Sequence, residues 1–334
     1  MEIEVQPVKV LITGGAGFLG ARLARTVLAN GLGGESIAEL VLADQFAPPP
    51  DLLADPRVRA LTGALVEQSA NLCREAFDTV FHLAAAVSAE CEADFDLGMR
   101  SNLDSTRALL EALRAAGNAP RLVFSSSAAV YGSDPGLPMP TVIRADTMPT
   151  PQSSYGIQKF ICEQLVADYT RKSFIDGRNV RLMTVVVRPG RPNGAASGFF
   201  SGIIREPIAG QPAVCPVAPE TPVALLSPAR TIQGLITVAE ASRQTLGGRI
   251  ALNLPALTVT VAEMLDALEA VAGAETRALV RFEPDPAIAR LVYGWPAFFD
   301  NSRAQALGLV PDPDFHSIVR AFLAERASET VLLS

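Results

Sequence analysis

Residues 9–20 read KVLITGGAGFLG: an apolar run, then four glycines within seven residues, then the start of a helix-period segment. A short apolar run bounded by glycine is the mark of a strand covered on both faces. Beyond it, Leu19, Leu23 and Val27 recur at every fourth position and Asn30-Gly31 supplies a stop, which predicts a helix from Gly17 to Ala29. The turn between them reads either as Gly15-x-Gly17-x-x-Gly20 or as Gly14-x-x-Gly17-x-x-Gly20. In both readings the glycines have separate physical jobs. Gly14 and Gly15 allow a tight turn, Gly17 lets backbone approach a pyrophosphate, and Gly20 lets the helix pack closely on the strand. The amides of Phe18 and Leu19 then face the phosphates from the positive end of the helix.

A lone glycine motif is weak, and its context is what strengthens it. The next apolar run, LVLAD, ends at Asp44, 24 residues after Gly20, where an acid meets the adenosine ribose hydroxyls of a dinucleotide. A carboxylate there repels a 2′-phosphate by up to about 4 kcal/mol per unit charge at about 4 Å and an effective dielectric of about 20. The first basic residue after it is Arg57, so the expected cofactor is NAD rather than NADP.

Outward from this unit, strands are predicted at Leu40–Ala43, Thr79–Leu83, Leu122–Ser125 and Val180–Val187, with helices at Ser101–Ala116 and Ser154–Lys172 between them. Strand-helix alternation implies an α/β fold with a doubly wound parallel sheet. After Arg188 the texture changes to RPGRPNGAASGFFSG, rich in Gly, Pro and small residues. The expected division is therefore a dinucleotide-binding Rossmann domain over 1–187, returning at about 222–254 through Val223–Leu226, the helix Ala229–Ala241 and the strand Ile250–Leu254. A smaller substrate domain takes 188–221 and 255–334, with helices such as Val261–Ala272 and Phe315–Ala324.

Composition limits the partners. The 334 residues are 49% hydrophobic, enough for a sizeable core, and carry a net charge of −7 with no basic cluster, which argues against nucleic acid and anionic membranes. Cys73, Cys91, Cys162 and Cys215 lack zinc-ligand spacing and only His82 and His316 accompany them, so no metal is expected. Scattered thiols, an acidic N-terminus without a signal pattern and the lack of a long apolar run predict a soluble cytoplasmic protein.

The chemistry lies in Ser127, Tyr155 and Lys159. Moving a hydride from a carbinol carbon requires taking the hydroxyl proton as well. A tyrosine near pKa 10 is roughly one part in a thousand ionised at neutral pH, so it needs a cation to stabilise its phenolate. Lys159 stands one helical turn from Tyr155, and Ser127 closes the run RLVFSSS with a second hydroxyl to hold the oxygen.

Together the glycine loop, Asp44, FHLAAAV around His82, Asn102, FSSSAAVYG and YGIQK resemble the extended short-chain dehydrogenase/reductase family, also called the NAD-dependent epimerase/dehydratase family, over nearly the whole chain. The resemblance implies that Ser127 polarises the substrate, that Tyr155 is the acid/base, and that Lys159 binds the nicotinamide ribose and lowers the tyrosine's pKa. It also implies that Leu65, Leu83, Ala84, Ala85, Asn102 and Ser125 lie along the cofactor, and that the chain forms a homodimer through the Ser101 and Ser154 helices. His82 is expected to be a satisfied core residue and Cys162 a packing residue.

The departures from the family pattern carry information too. Gly63-Ala64-Leu65 lacks the acid that commonly touches the adenine. Ala128-Ala129 lacks the acidic residues a dehydratase uses. In the loop after the sixth strand, Arg191 stands where nucleotide-sugar enzymes carry an asparagine. An arginine fork suits a carboxylate, so a small anionic substrate is expected on Arg191, helped by Ser88 and Asn193. RPGRPN, SGIIREPIAGQPAVCPV and EPDPAIARLVYGWP are similar to a sugar-acid dehydrogenase group of the family, which oxidises a C2 hydroxyl with NAD. The rival reading is a nucleotide-sugar epimerase using the same three residues. A silent NAD-binding scaffold is the reading from outside enzymology.

Overall fold

The run that opens the sequence forms strand β1 (Val8–Thr13), whose Val10, Leu11 and Ile12 are fully buried. The computed structural model describes residues 7–190 and 197–333. Strands β2 (Ile37–Asp44), β3 (Val58–Thr62), β4 (Thr79–His82), β5 (Arg121–Ser127) and β6 (Asp176–Leu182) join β1 in a seven-stranded sheet of order β3-β2-β1-β4-β5-β6, and Leu252–Asn253 is the last strand beyond β6. The β1–β2, β1–β4, β2–β3 and β4–β5 pairs are parallel. This is the doubly wound order, in which the chain starts at the centre and reverses direction across β1 and β4.

Helix α1 (Phe18–Asn30) buries Gly20, Ala21, Leu23, Ala24 and Val27. Leu19, predicted on that face, is only half buried, because the contact so close to β1 is made by small residues. The helix stops where expected, at Gly31 with φ 74° and its N–H bonded to Val27 O. Helix α2 (Ser105–Ala116) is preceded by a π-helical turn, Met99–Asp104, and α3 (Ser154–Arg171) follows Ser153, whose side chain caps the amide of Gly156. A core cluster including Leu11, Val41, Phe77, Leu109, Leu113, Phe124, Cys162 and Val166 fills the space between sheet and helices.

The chain divides into two compact units. The first comprises 1–130, 153–181 and 232–252, and the second 131–152, 182–231 and 253–334. This division differs from the sequence boundaries at particular elements. The run Val180–Val187 is two strands: β6 ends at Leu182, and Thr184–Val185 pairs with Pro222–Leu226 in a separate three-stranded sheet. Pro222–Leu226 therefore does not return to the central sheet. Its other neighbour is Leu257–Thr260, antiparallel. The run is interrupted only by Arg181 and Thr184, and that pattern does not mark where one sheet is left for another. The second unit has its own core, in which Phe200, Ile203, Ile204, Val261, Leu265, Leu268, Phe315, Val319 and Phe322 are buried.

Candidate active site

Each glycine of the loop after β1 meets a different constraint. Gly14 has φ +74°, and a Cβ there would lie 2.8 Å from Ala84 N. A Cβ on Gly15 would lie 2.8 Å from the Leu42 side chain, and one on Gly20 only 2.0 Å from Gly14 O. Gly17 differs: it is exposed, and its Cβ would meet only Gly14 O, at 3.2 Å. Three glycines are thus demanded by protein packing, while the fourth leaves room outside the protein. Gly17 is also the N-cap of α1 and supplies no side-chain acceptor, so the first-turn amides of Phe18 and Leu19 have no capping side chain.

The Asp44 carboxylate is fixed at the end of β2. Its Oδ2 accepts from Ala16 N at 3.0 Å and its Oδ1 from Phe46 N at 3.1 Å, which ties it to the glycine loop and leaves lone pairs for vicinal hydroxyls. Asp44 O accepts from Gly63 N at 2.9 Å, so the Gly63-Ala64-Leu65 triplet is held against the same strand end, and Leu65 opens the helix Leu65–Leu72. Leu83 and Ala84 leave β4 beside Gly14: Leu83 N donates to Thr13 O at 3.1 Å and Ala84 N to Thr13 Oγ1 at 3.3 Å. Ala85 follows, half buried, and Ser88 begins the helix Ser88–Ala93.

On α3, Tyr155 is half buried and Lys159 is 3% exposed. Lys159 Nζ donates to Ser125 O at 2.8 Å, and lies 5.7 Å from the Tyr155 ring centroid and 4.8 Å from that of Phe124. Burial lowers the Lys159 ammonium to about 8, so it is still roughly ten-to-one protonated at pH 7. At the end of β5, Ser127 Oγ accepts from Ala129 N at 3.1 Å and keeps its proton to donate. The strand that carries Ser127 therefore also carries the carbonyl that anchors Lys159.

Beneath these groups is a buried polar network. Asn102, on the π turn and 2% exposed, accepts from Ala86 N at 2.8 Å and donates to Gln158 Oε1 at 2.8 Å and to Cys91 Sγ at 3.3 Å. Thr106 Oγ1 donates to Asn102 O at 2.6 Å, so toward His82 Nε2, at 2.8 Å, it accepts. The tautomer follows by elimination: His82 carries its proton on Nε2, and its Nδ1 accepts from Thr13 Oγ1 at 2.6 Å. Burial, with Lys159 nearby, pushes His82 down to about 3 and keeps it neutral. It is the satisfied core histidine that the sequence suggested, and Cys162, fully buried and donating to Asn102 O, is a packing residue.

The structure thus brings together Gly14 with Leu83 and Ala84, Asp44 with the glycine loop, and Lys159 with Tyr155 and with Ser125. Arg191 and Asn193 lie outside the described residues. Gln158 enters this network, and Ser126, Glu163 and Arg181 form a second buried cluster across β5, α3 and β6, without having been singled out from the sequence. Helical spacing from Tyr155 and Lys159 would have flagged Glu163, because positions 155, 159 and 163 share one face of α3.

A family model described as the NAD dependent epimerase/dehydratase family matches residues 10–226, more than half of the chain. The chain belongs to that family. D-erythronate dehydrogenase of Cupriavidus necator is 50% identical over 325 residues, covering 95% of this chain and 98% of the relative. D-erythronate dehydrogenase of Haemophilus influenzae is 42% identical over 318 residues, covering 94% and 98%. The crystal structure of a protein described as the nucleoside-diphosphate-sugar epimerase from Agrobacterium tumefaciens superposes with TM-score 0.92 at 39% identity, covering 98% and 97%.

The residues fit the cofactor in the family's description. Gly17 is open where a phosphate needs room, the first-turn amides of α1 lack a side-chain acceptor, and the Asp44 carboxylate is aimed by two backbone amides. Those three features are what a pyrophosphate and an adenosine ribose require.

Proposed function

We propose that the protein is an NAD-dependent dehydrogenase that oxidises the C2 hydroxyl of a small sugar acid, D-erythronate, to the 2-oxo acid. One observation carries the chemistry: a buried lysine, charged at neutral pH and hung on the carbonyl of Ser125, beside the ring of Tyr155 on one helical face. The substrate is supported by the two D-erythronate dehydrogenases, which match this chain nearly end to end.

Bound NAD, held by Gly14, Gly17, Phe18, Leu19, Gly20 and Asp44, with Leu65, Leu83, Ala84, Ala85, Asn102 and Ser125 along it, supplies an acceptor for the C2 hydride. Ser127 donates to the C2 oxygen and holds it. Tyr155, as phenolate, takes the hydroxyl proton. Lys159 favours that phenolate electrostatically. Ser88 and, on the argument from sequence alone, Arg191 and Asn193 take the substrate carboxylate.

The second reading, an epimerase, is favoured by the likeness to the Agrobacterium protein, which is described as an epimerase. Such an enzyme returns the hydride to its own product and releases no NADH. Absorbance at 340 nm with a panel of aldonic acids, and then with UDP-sugars, separates the two. The expected result is NADH formation with D-erythronate and none with any UDP-sugar; no NADH from any sugar acid would refute the proposal.

We also place the protein in the cytoplasm, as a homodimer. Its four cysteines are free thiols, and among the described residues no helix is long and apolar enough to cross a membrane. Exposed Ile157 and Ile161 on α3, with exposed Phe95, give a second copy an apolar face to cover. A monomer mass by light scattering would refute the dimer.

A further inference from the structure

One turn beyond Lys159 on α3, Glu163 is 1% exposed and ion-paired with Arg181 of β6, itself 4% exposed. Its Oε2 accepts from Arg181 Nη2 at 2.6 Å, and its Oε1 accepts both from Arg181 Nε at 2.8 Å and from Ser126 Oγ at 2.5 Å. The Glu163 carbonyl accepts from Asn179 Nδ2 at 3.0 Å, so helix and strand are tied twice. Ser126 lies between Ser125, whose carbonyl anchors Lys159, and Ser127. Because side chains alternate along a strand, fixing Ser126 on one face sets both neighbours on the other. A buried ion pair is a weak source of net stability compared with apolar residues of similar volume, which leaves specification of geometry as its use.

We infer that Glu163, held by Arg181 and bonded to Ser126, is a positioning residue that fixes the end of β5 beneath Lys159 and Ser127 and supplies the negative charge facing the lysine. This rests on the reading in which Tyr155 and Lys159 manage the proton. The groups facing Lys159 are Tyr155, His82, Cys91, Cys162 and Glu163. His82 is neutral, and burial pushes the Cys91 and Cys162 thiols up. At neutral pH the anion among them is therefore Glu163, and the groups facing Glu163 in turn are Arg181, Lys159 and Cys162.

The test uses a convenience of composition: the chain has only three lysines, Lys9, Lys159 and Lys172, so 13Cε-lysine labelling gives a spectrum in which Lys159 is assigned by its own substitution. Glu163→Gln leaves Arg181 as the unbalanced charge, and the Lys159 titration midpoint should fall by on the order of one pH unit. Arg181→Met reverses the imbalance, and the midpoint should not fall. The double variant buries no unpaired charge and should return it to the native value. A merely structural role would move both single variants in the same direction, and that result overturns the inference.

Should the single variants fail to fold, Ser126→Ala carries the test, since it keeps the ion pair. It should lower kcat about tenfold by loosening Ser127 while leaving KM for NAD and the Lys159 midpoint unchanged. Native kcat in Ser126→Ala overturns the positioning role. The NMR titration needs no substrate, so it stands or falls independently of whether D-erythronate is oxidised.

Discussion

Substituting Gly17 and Gly20 separately by alanine distinguishes a glycine kept for a ligand from one kept for the fold. At Gly20 the new Cβ would sit 2.0 Å from Gly14 O, 2.8 Å from Gly14 C and 2.9 Å from Gly15 Cα, all backbone. Relief to an ordinary contact requires helix and loop to part by roughly 1 Å, an overpacking change that typically costs about 1–3 kcal/mol. For a unit of this size that lowers Tm by several degrees with no ligand present. At Gly17 the Cβ meets only Gly14 O, at 3.2 Å, so the unliganded protein should lose less of its Tm than Gly20→Ala does, the cost being a slight shift of one neighbour and a poorer N-cap. The methyl occupies the space from which a pyrophosphate reaches the α1 amides. Losing two charge-assisted hydrogen bonds there, at about 1.5–3 kcal/mol each, should weaken NAD by about 10²–10⁴-fold. Calorimetric titration with NAD, beside thermal melts of the apo proteins, reads both effects. Near-native NAD affinity in Gly17→Ala, with its fold intact, would refute the assignment of the phosphates to this loop.

Tyr155→Phe removes the proton acceptor but not the ring, so turnover should fall by at least about 10²-fold while NAD affinity stays within about twofold; retention of more than a tenth of the activity would contradict the assigned base. The native enzyme should prefer NAD to NADP strongly in kcat/KM, and Asp44→Ala should narrow that preference by lifting the repulsion of a 2′-phosphate; equal use of both by the native enzyme would remove Asp44 from the role. Lys159, lowered to about 8 against 10.5, binds its proton less tightly folded than unfolded, so its burial penalty is full below pH 8 and is relieved as pH rises toward 10.5. Native stability minus that of Lys159→Met should therefore increase by on the order of 1 kcal/mol from pH 7 to pH 9 in urea titrations, and a constant difference would mean the ammonium is not desolvated.

The parts legible in the sequence were those a backbone or a fixed spacing dictates. Gly14 and Gly20 admit no side chain, Asp44 ends the second apolar run, and Tyr155 and Lys159 are one helical turn apart. What escaped depends on partners distant in sequence. Strand β3 was missed because Val58–Thr62 is a half-exposed edge whose Arg59 breaks the apolar pattern, and only the fold brings Glu39 and Glu75 to pair with that arginine. The π turn at Met99–Asp104 overlaps the start of the helix expected from Ser101, since one extra residue in a turn leaves the composition unchanged. The Glu163–Arg181 pair joins α3 to β6, and no local spacing announces which strand residue a helix carboxylate will meet.

The same geometry explains why a histidine so near Lys159 cannot serve as a base. A second cation beside Lys159 would lower the lysine's affinity for its proton and weaken the support of the phenolate. The network prevents this by hydrogen bonding, not by distance. Thr106 is already committed to donating to Asn102 O, so toward His82 it can only accept, and Thr13 donates to the other ring nitrogen. Protonating His82 at Nδ1 would set two donors against each other in a fully buried site. The neutral imidazole is thereby locked into joining β1, β4 and α2 underneath the glycine loop. Lys159 then keeps the positive charge to itself, facing Tyr155 above and Glu163 one turn along the helix.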